Sequence, residues 1–287
     1  MLKGYSGFYY VEYNNQIYEC SLRGKNKLIN SKFLPGDQVI FSIISDFKGV
    51  IEKVLPRKNE LTRPPIANVD QVIIVNACLN PPPDFWMIDR LTILALWNKT
   101  KPILCFNKSD LVTEDELNRI RSIYEKANFK VIFTSSKQNI GIDELKETLT
   151  GKKSVFAGLS GVGKSSLLNS LQTELKLQTG EISNKLKRGK HTTRHVEFLP
   201  FTFGGLVADT PGFSSLDLPK DIVREQFSWL FPEIYAYQNE CKFSTCLHNK
   251  EPKCAVKEAV SLGKISENRY KNYLAFLEEV ISNERSY

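Results

Sequence analysis

Short apolar runs separated by turn residues fill the N-terminal part of the chain. The runs "GFYYVEY", "QIYECSL", "DQVIFSII" and "GVIEKVL" are rich in Tyr, Val, Ile and Phe, and the turn-forming "NN", "RGKNK" and "PGD" lie between them. Runs of this length and composition are typical of β-strands. Residues 1–62 are therefore predicted to form a small β-barrel, for which the five-stranded OB type is a candidate. Such barrels often bind oligonucleotides, although others have no ligand role.

From residue 63 to residue 218 the pattern changes to apolar strands that alternate with helical periodicity. The predicted strands are "QVIIVNAC", "KPILCFN", "KVIFTSS", "KSVFAG", "HVEFLPF" and "GGLVADT", and the helices between them include "DFWMIDRLTILALW", "TEDELNRIRSIYEKA" and "GIDELKETL". Strand, crossover helix and strand in succession indicate a mostly parallel α/β sheet. Ligands of such sheets bind beyond the carboxyl ends of the strands.

Residues 219–287 lack strand patterns and are predicted to form a separate helical region. A short helix follows Pro252 and ends at Gly263, and a longer helix starts at Ser266 with apolar residues at helical spacing. The chain is therefore predicted to have three domains, with boundaries at residues 62/63 and 218/219.

The glycine-rich segment "GLSGVGKSS" lies between the apolar run "SVFA" and the helical pattern "SLLNSLQ". It fits the phosphate-loop pattern GxxxxGK[ST], in which backbone N–H groups surround a phosphate, Lys164 neutralises the β- and γ-phosphates, and Ser165 ligates magnesium. The alternative is a glycine-rich turn, but the flanking strand and helix favour a phosphate loop. The predicted nucleotide-binding residues are Gly158, Leu159, Ser160, Gly161, Val162, Gly163, Lys164, Ser165 and Ser166.

Two short polar segments at the ends of predicted strands carry candidate base-reading residues. In "NKSD" the Asp110 carboxylate can accept hydrogen bonds from guanine N1–H and the exocyclic amine together, which favours GTP over ATP. Lys108 can place its stem along the base, and Asn107 can tie this loop to the phosphate loop. In "TSSK" the amide of Ser136 can approach the guanine carbonyl. Taken alone, "NKSD" also fits a polar turn after a strand, and "TSSK" is a common segment. The predicted residues are Asn107, Lys108, Ser109, Asp110, Ser135, Ser136 and Lys137.

Two further segments supply candidate magnesium and γ-phosphate contacts. "DTPG" follows the strand "GGLVA", which places Asp209 to hold magnesium through water and the Gly212 amide to meet the γ-phosphate, although its composition also fits a β-turn. The basic segment "KLKRGKHTTRH" is predicted to be a mobile loop in which either Thr192 or Thr193 completes the magnesium shell. A basic loop without a nucleotide role is the alternative.

A compact cluster of three cysteines and one histidine lies in the C-terminal region. Cys241, Cys246, His248 and Cys254 form the pattern CxxxxCxHxxxxxC, and the chain has only three histidines. Three thiolates and an imidazole suit a closed tetrahedral zinc site, which leaves no open position for catalysis. The predicted cofactor is one structural zinc ion. Unrelated buried thiols are the alternative. Cys20, Cys78 and Cys105 lie in apolar strands and are predicted to be packing residues.

The order of the motifs supports a resemblance to a known family. They run "NKSD", "TSSK", "GLSGVGKS", "HTT" and "DTPG", so the base-reading segment precedes the phosphate loop. This order resembles the circularly permuted GTPases. Together with the N-terminal barrel and the cysteine cluster, whose spacing matches that family, the chain is similar over essentially its whole length to the ribosome small subunit-dependent GTPase A family (RsgA, YjeQ/YloQ-like).

The resemblance implies a cytoplasmic, magnesium-dependent GTPase that is stimulated by the small (30S) ribosomal subunit. It implies a role in late 30S biogenesis and binding to 16S rRNA. Phe213 follows Gly212 where Ras-type enzymes have the glutamine that orients water, so slow unaided hydrolysis is expected. His191 in the basic loop is the catalytic candidate for positioning water, and a phosphate or RNA contact is an equal alternative.

Composition and charge agree with this interpretation without requiring it. The net charge of +7 and the pI near 8.9 suit a polyanionic partner such as RNA. No signal peptide or membrane span is predicted, and six cysteines in a chain of this size do not indicate a disulfide framework. A cytoplasmic monomer that uses GTP and GDP is expected. Two rivals are an RNA-binding protein whose nucleotide site is only a sensor, and an ATP-dependent enzyme with an incidental "NKSD".

Overall fold

The computed structural model of the protein describes residues 1–5, 7–14, 16–22, 33–62, 64–172, 196–209 and 217–285. Within these ranges the chain forms an N-terminal β-sheet, a central α/β sheet and a C-terminal helical region, in that order. This is the predicted fold class. Among the described residues, no helix combines the length and the apolar character needed to cross a bilayer.

The N-terminal sheet has five strands in the order β1-β2-β3-β5-β4. Four of them coincide with the predicted runs, and β1 is too short to have a sequence pattern. Strands β3 and β5 are parallel, and the other pairs are antiparallel. Val11, Tyr18, Cys20 and Ile51 form the small buried core. The strands are β1 Lys3–Tyr5, β2 Phe8–Tyr13, β3 Gln16–Leu22, β4 Val39–Ser45 and β5 Lys48–Val54.

A hairpin that the sequence did not predict joins the N-terminal sheet to the central sheet. It consists of β6 (Glu60–Thr62) and β7 (Pro65–Ala67), and the predicted domain boundary at 62/63 coincides with the end of β6. Gly36, from the predicted "PGD" turn, packs against this hairpin with a φ of +93°. A Cβ atom at Gly36 would lie 1.9 Å from the carbonyl oxygen of Ala67, so only glycine permits this contact.

The central sheet has six strands in the order β10-β9-β8-β11-β13-β12, and only β12 is antiparallel. All seven residues of β8 are buried, because helices cover both faces of the sheet. Ile73 and Val75 face α3 and α4, whereas Val72 and Ile74 face α1 and α2. The elements are β8 Gln71–Ala77, α1 Phe85–Trp97, β9 Lys101–Asn107, α2 Glu114–Glu125, β10 Lys130–Phe133, α3 Ile142–Leu149, β11 Lys153–Ala157, α4 Lys164–Gln172, β12 Glu197–Pro200 and β13 Leu206–Asp209.

The C-terminal region packs against α1 through a buried ion cluster. Arg269 is fully buried, and its guanidinium lies 2.7 Å from the Asp89 carboxylate of α1 and 2.6 Å from the Glu233 carboxylate. Arg90 of α1 makes a two-pronged contact with Glu279, with both N–O distances 2.7 Å. The helices are α5 Pro232–Tyr235, α6 Ala255–Ser261 and α7 Glu267–Arg285, and 3-10 turns span Arg224–Leu230 and Gln238–Glu240.

Candidate nucleotide site and metal centre

The predicted phosphate loop connects the carboxyl end of β11 to the first residue of α4. Two of its glycines have backbone angles and surroundings that exclude a side chain. Gly158 has a φ of +143°, and a Cβ atom there would lie 2.1 Å from the carbonyl oxygen of Val75 in β8. Gly163 has a φ of +96°, and a Cβ atom there would lie 2.2 Å from Nδ2 of Asn107. The loop is thus pressed against the end of β8 and against the base-reading segment.

Asn107 joins the base-reading loop to two other segments. It ends β9, is 1% exposed, and donates from Nδ2 to the carbonyl oxygen of Val162 in the phosphate loop at 3.2 Å. Its Oδ1 accepts from the Thr134 hydroxyl at 3.3 Å and from the Ser136 amide at 3.2 Å. The structure therefore brings together three segments that are far apart in the chain.

Lys108 makes a second link between the same loops. Its backbone is left-handed, with a φ of 60°, and its ammonium donates to the carbonyl oxygen of Gly161 at 2.9 Å. It also donates to the carbonyl oxygen of Asn80. Asp110 lies in the 3-10 turn Ser109–Leu111 that follows, and its side chain is half-buried at the edge of the sheet where a base would bind.

The Asn80 contact identifies a component of the site that sequence reasoning missed. Residues 79–84, "LNPPPD", connect β8 to α1 beside the phosphate loop. Cδ of Pro81 lies 3.9 Å from the position of a Cβ atom at Gly161. The only available sequence signal was a proline run directly after a buried strand, because the contact to Lys108 uses a backbone carbonyl.

The amide of Ser136 donates to Asn107 in this structure, whereas the sequence suggested a guanine carbonyl as its partner. The neighbouring Ser135 accepts from the Gln138 amide at 3.1 Å, which shapes the turn that contains Lys137. A guanine contact from this segment stays a prediction.

The side chain of Lys164 folds back onto the phosphate loop. Its ammonium donates to the carbonyl oxygens of Gly158 and Leu159, both at 2.7 Å, and burial lowers its pKa. A phosphate beside this ammonium would favour the charged form. Ser165 and Ser166 are exposed at the N-terminus of α4, so their hydroxyls are accessible. A glycine cradle, a lysine and an accessible serine fit a magnesium–nucleotide group.

The remaining predicted contacts fall partly outside the described residues. Strand β13 pairs directly with β11, with Ala208 opposite Val155, so its carboxyl end at Asp209 lies beside the strand that leads to the phosphate loop. The residues that lie outside the described ranges are His191, Thr192, Thr193 and Gly212, and the side chain of Asp209 is not described either.

The cysteine cluster forms a compact donor set. The ligand atoms of Cys241, Cys246, His248 and Cys254 all lie within 4.8 Å of one another. Nδ1 of His248 is 3.5 Å from the sulfurs of Cys241 and Cys254, which are 3.9 Å apart. A tetrahedral zinc ion with bonds of about 2.3 Å to sulfur and 2.0–2.1 Å to nitrogen separates its ligand atoms by about 3.5–3.8 Å. The residues therefore fit a zinc ion.

Burial raises the pKa of the Cys246 and Cys254 thiols. These thiols would lose their protons when a cation compensates the charge, as zinc does. Cys20, Cys78 and Cys105 are buried free thiols within the apolar clusters, which confirms that they are packing residues.

The parallel sheet and the glycine loop between β11 and α4 indicate a P-loop nucleotide-binding protein, in which the predicted base-reading segment precedes the phosphate loop along the chain. A family model described as RsgA GTPase matches residues 54–219, and one described as RsgA N-terminal domain matches residues 1–51. The chain belongs to the RsgA family of circularly permuted GTPases.

Individual relatives match over nearly the whole chain. A protein of Carboxydothermus hydrogenoformans named "Small ribosomal subunit biogenesis GTPase RsgA" is 50% identical, and the match covers 100% of this chain and 98% of that protein. The crystal structure of YjeQ from Thermotoga maritima is 40% identical with a TM-score of 0.80, covering 98% of this chain and 96% of that one. YloQ, titled a circularly permuted GTPase, is 37% identical with a TM-score of 0.83, covering 98% and 93%.

Proposed function

We propose that this chain hydrolyses GTP to GDP and phosphate in the cleft between the base-reading loop and the phosphate loop. The observation that carries this proposal is the direct contact of Asn107 and Lys108 with Val162 and Gly161. It supports a single nucleotide spanning both loops, with Asp110 reading guanine and the loop amides and Lys164 holding the phosphates.

A magnesium ion bound with GTP would neutralise charge on the phosphates. Its proposed protein ligands are Ser165, Asp209 and one of Thr192 and Thr193. The amide of Gly212 is proposed to sense the γ-phosphate, and His191 is proposed to position the attacking water. Because Phe213 cannot orient water, turnover by the isolated protein should be slow.

The biological setting is proposed from the relatives, which are named for biogenesis of the small ribosomal subunit. The chain would act in the cytoplasm as a monomer on the 30S subunit, which would stimulate hydrolysis. One structural zinc ion is proposed to be held by Cys241, Cys246, His248 and Cys254. The chain would contact 16S rRNA through the N-terminal sheet, the basic segment 185–195 and the region around this zinc ion. The net charge of +7 is consistent with an RNA partner.

The decisive experiment measures GTP hydrolysis by the purified protein with and without purified 30S subunits. We expect a clear increase with subunits, and no increase for His191→Ala. Binding without any turnover would favour a nucleotide-sensing RNA-binding protein over an enzyme. If 30S subunits stimulated GTP hydrolysis by wild type and by His191→Ala equally, the proposed role of His191 would be wrong.

Base specificity is tested separately by competition between GTP and ATP. Asp110→Asn should shift preference from guanosine towards xanthosine nucleotides, because an amide donates where the carboxylate accepts. Equal competition by ATP, or unchanged guanine preference in the variant, would contradict the assignment of Asp110.

A further inference from the structure

The histidine of the metal centre is held by its backbone loop. A metal-bound histidine usually donates its second ring nitrogen to a carboxylate or carbonyl, which fixes the ring. Here Nδ1 of His248 faces the sulfurs, and Nε2 is buried with no hydrogen-bond partner among the described residues. The ring is fully buried and lies 6.2 Å from the Tyr273 ring, centroid to centroid, so its orientation depends on packing and on the backbone loop that carries it.

That chain has an unusual backbone conformation. His248 has a φ of 58°, in the left-handed region that non-glycine residues adopt at a cost. Such a conformation persists only where surrounding contacts hold it. The structure shows these contacts on both sides of His248.

The first contact is the carboxylate of Glu251, which bridges the two residues that flank His248. Its Oε1 accepts from the Leu247 amide at 2.9 Å, and its Oε2 accepts from the Asn249 amide at 2.9 Å. One carboxylate thus connects the residues before and after His248. It accepts hydrogen bonds from two backbone amides that belong to no helix or strand.

The second contact comes from α7. The Tyr270 hydroxyl donates to the carbonyl oxygen of His248 at 2.7 Å, and the Tyr273 hydroxyl donates to that of Leu247 at 3.1 Å. The loop is therefore held by α7 through its carbonyls and by Glu251 through its amides.

We propose that Glu251 is a positioning residue for the metal centre: its carboxylate holds the left-handed turn that aims Nδ1 of His248 at the three thiols, without binding the metal itself. This inference rests on the zinc centre proposed above. The isosteric glutamine has one acceptor oxygen. Its side-chain amide NH2 group is a donor and would face one of the two backbone N–H groups, so glutamine cannot replace both hydrogen bonds. Supporting contacts of this kind typically change metal affinity by about 10- to 100-fold.

The test compares zinc affinity of the full-length wild-type protein, Glu251→Gln and Glu240→Gln, measured by competition with a chromophoric chelator. Glu240 is an exposed acid next to the ligand Cys241, so its variant removes the same charge near the metal without touching the turn. We expect a loss of about 10- to 100-fold for Glu251→Gln and almost none for Glu240→Gln.

Two further measurements separate positioning from a general structural role. Cobalt(II) loading reports ligand geometry, and Glu251→Gln should change the visible absorption in the direction of His248→Ala. Urea unfolding of the zinc-free proteins should show little difference between wild type and Glu251→Gln. If Glu251→Gln does not yield folded protein, Glu251→Asp, which keeps the charge but is too short to reach both amides, should show the same loss.

Unchanged zinc affinity and cobalt spectrum in Glu251→Gln would overturn the inference, as would an equal loss of affinity in Glu240→Gln. The inference would also be overturned if Glu251→Gln lowered the free energy of unfolding equally with and without zinc, because Glu251 would then stabilise the fold independently of the metal. Failure of the wild-type protein to bind zinc would instead remove the proposed metal centre itself.

Discussion

Gly163→Ala should sharply weaken nucleotide binding, because a Cβ atom there would lie 2.2 Å from Nδ2 of Asn107. Asn107 cannot simply rotate away, since it is 1% exposed and its Oδ1 accepts from Thr134 and Ser136. Displacing it breaks the bond to Val162 and leaves buried groups unpaired, at about 1–3 kcal/mol. An off-rotamer side chain adds about 0.5–1.5 kcal/mol. Restoring the binding geometry therefore costs about 1.5–4.5 kcal/mol, which corresponds to a loss of about 10- to 1,600-fold in affinity.

The matched control is Gly151→Ala. Gly151 also has a positive φ, of +70°, but a Cβ atom there would meet nothing within 4 Å. Both variants place an alanine at a positive φ, which costs about 1–2 kcal/mol in the left-handed region, but only Gly163→Ala also crowds Asn107. The assay is equilibrium titration with a fluorescent GDP analogue. If Gly163→Ala bound GDP as tightly as Gly151→Ala, the argument that Asn107 couples the two loops would be refuted.

Two other predictions follow from charged side chains. Lys108→Met keeps the apolar stem but removes the ammonium that donates to the carbonyl oxygens of Gly161 and Asn80, so the affinity for GDP should fall about tenfold or more. The control is Lys101→Met, at the opposite end of β9, which should leave GDP affinity unchanged. Arg269→Met leaves the carboxylates of Asp89 and Glu233 buried without their cation, and should lower the free energy of unfolding by about 3–5 kcal/mol. Burial already raises the pKa of Asp89, and removal of the guanidinium would raise it further, so protonation at low pH relieves the penalty. The deficit in urea unfolding should therefore be smaller at pH 5 than at pH 8, and a deficit that grows on acidification would contradict this.

Elements with strong periodicity were predictable from the sequence. The six central strands and the four helices beside them follow apolar patterns, and the structure confirms them. Strand β1 and the hairpin β6–β7 were missed because three residues are too few to show an alternation. Their pairing depends on partners elsewhere in the chain, such as the carbonyl oxygen of Ala67 beside Gly36.

In the candidate sites, functional side chains were predictable from the sequence, whereas contacts made by backbone groups were not. Lys164, Asp110 and the four side chains of the Cys/His cluster could be proposed as site residues from the sequence, because each chemistry requires particular side chains at particular spacings. The carbonyl of Asn80, the hydrogen bond from the Ser136 amide to Asn107 and the paired amides bridged by Glu251 were not predicted. These contacts use backbone groups that nearly every residue type carries, so no residue pattern marks them.

The class of the protein could be predicted from motifs whose residues are neighbours in the chain and whose order indicates the permutation. The contacts that join these motifs became visible in the folded chain: Asn107 to Val162, Lys108 to Gly161 and Asn80, and α7 to both the His248 loop and α1. A motif consists of the side chains that a ligand requires. Contacts between distant segments instead arise from the packing of strands and helices, and they can use any backbone amide or carbonyl that this packing brings within reach.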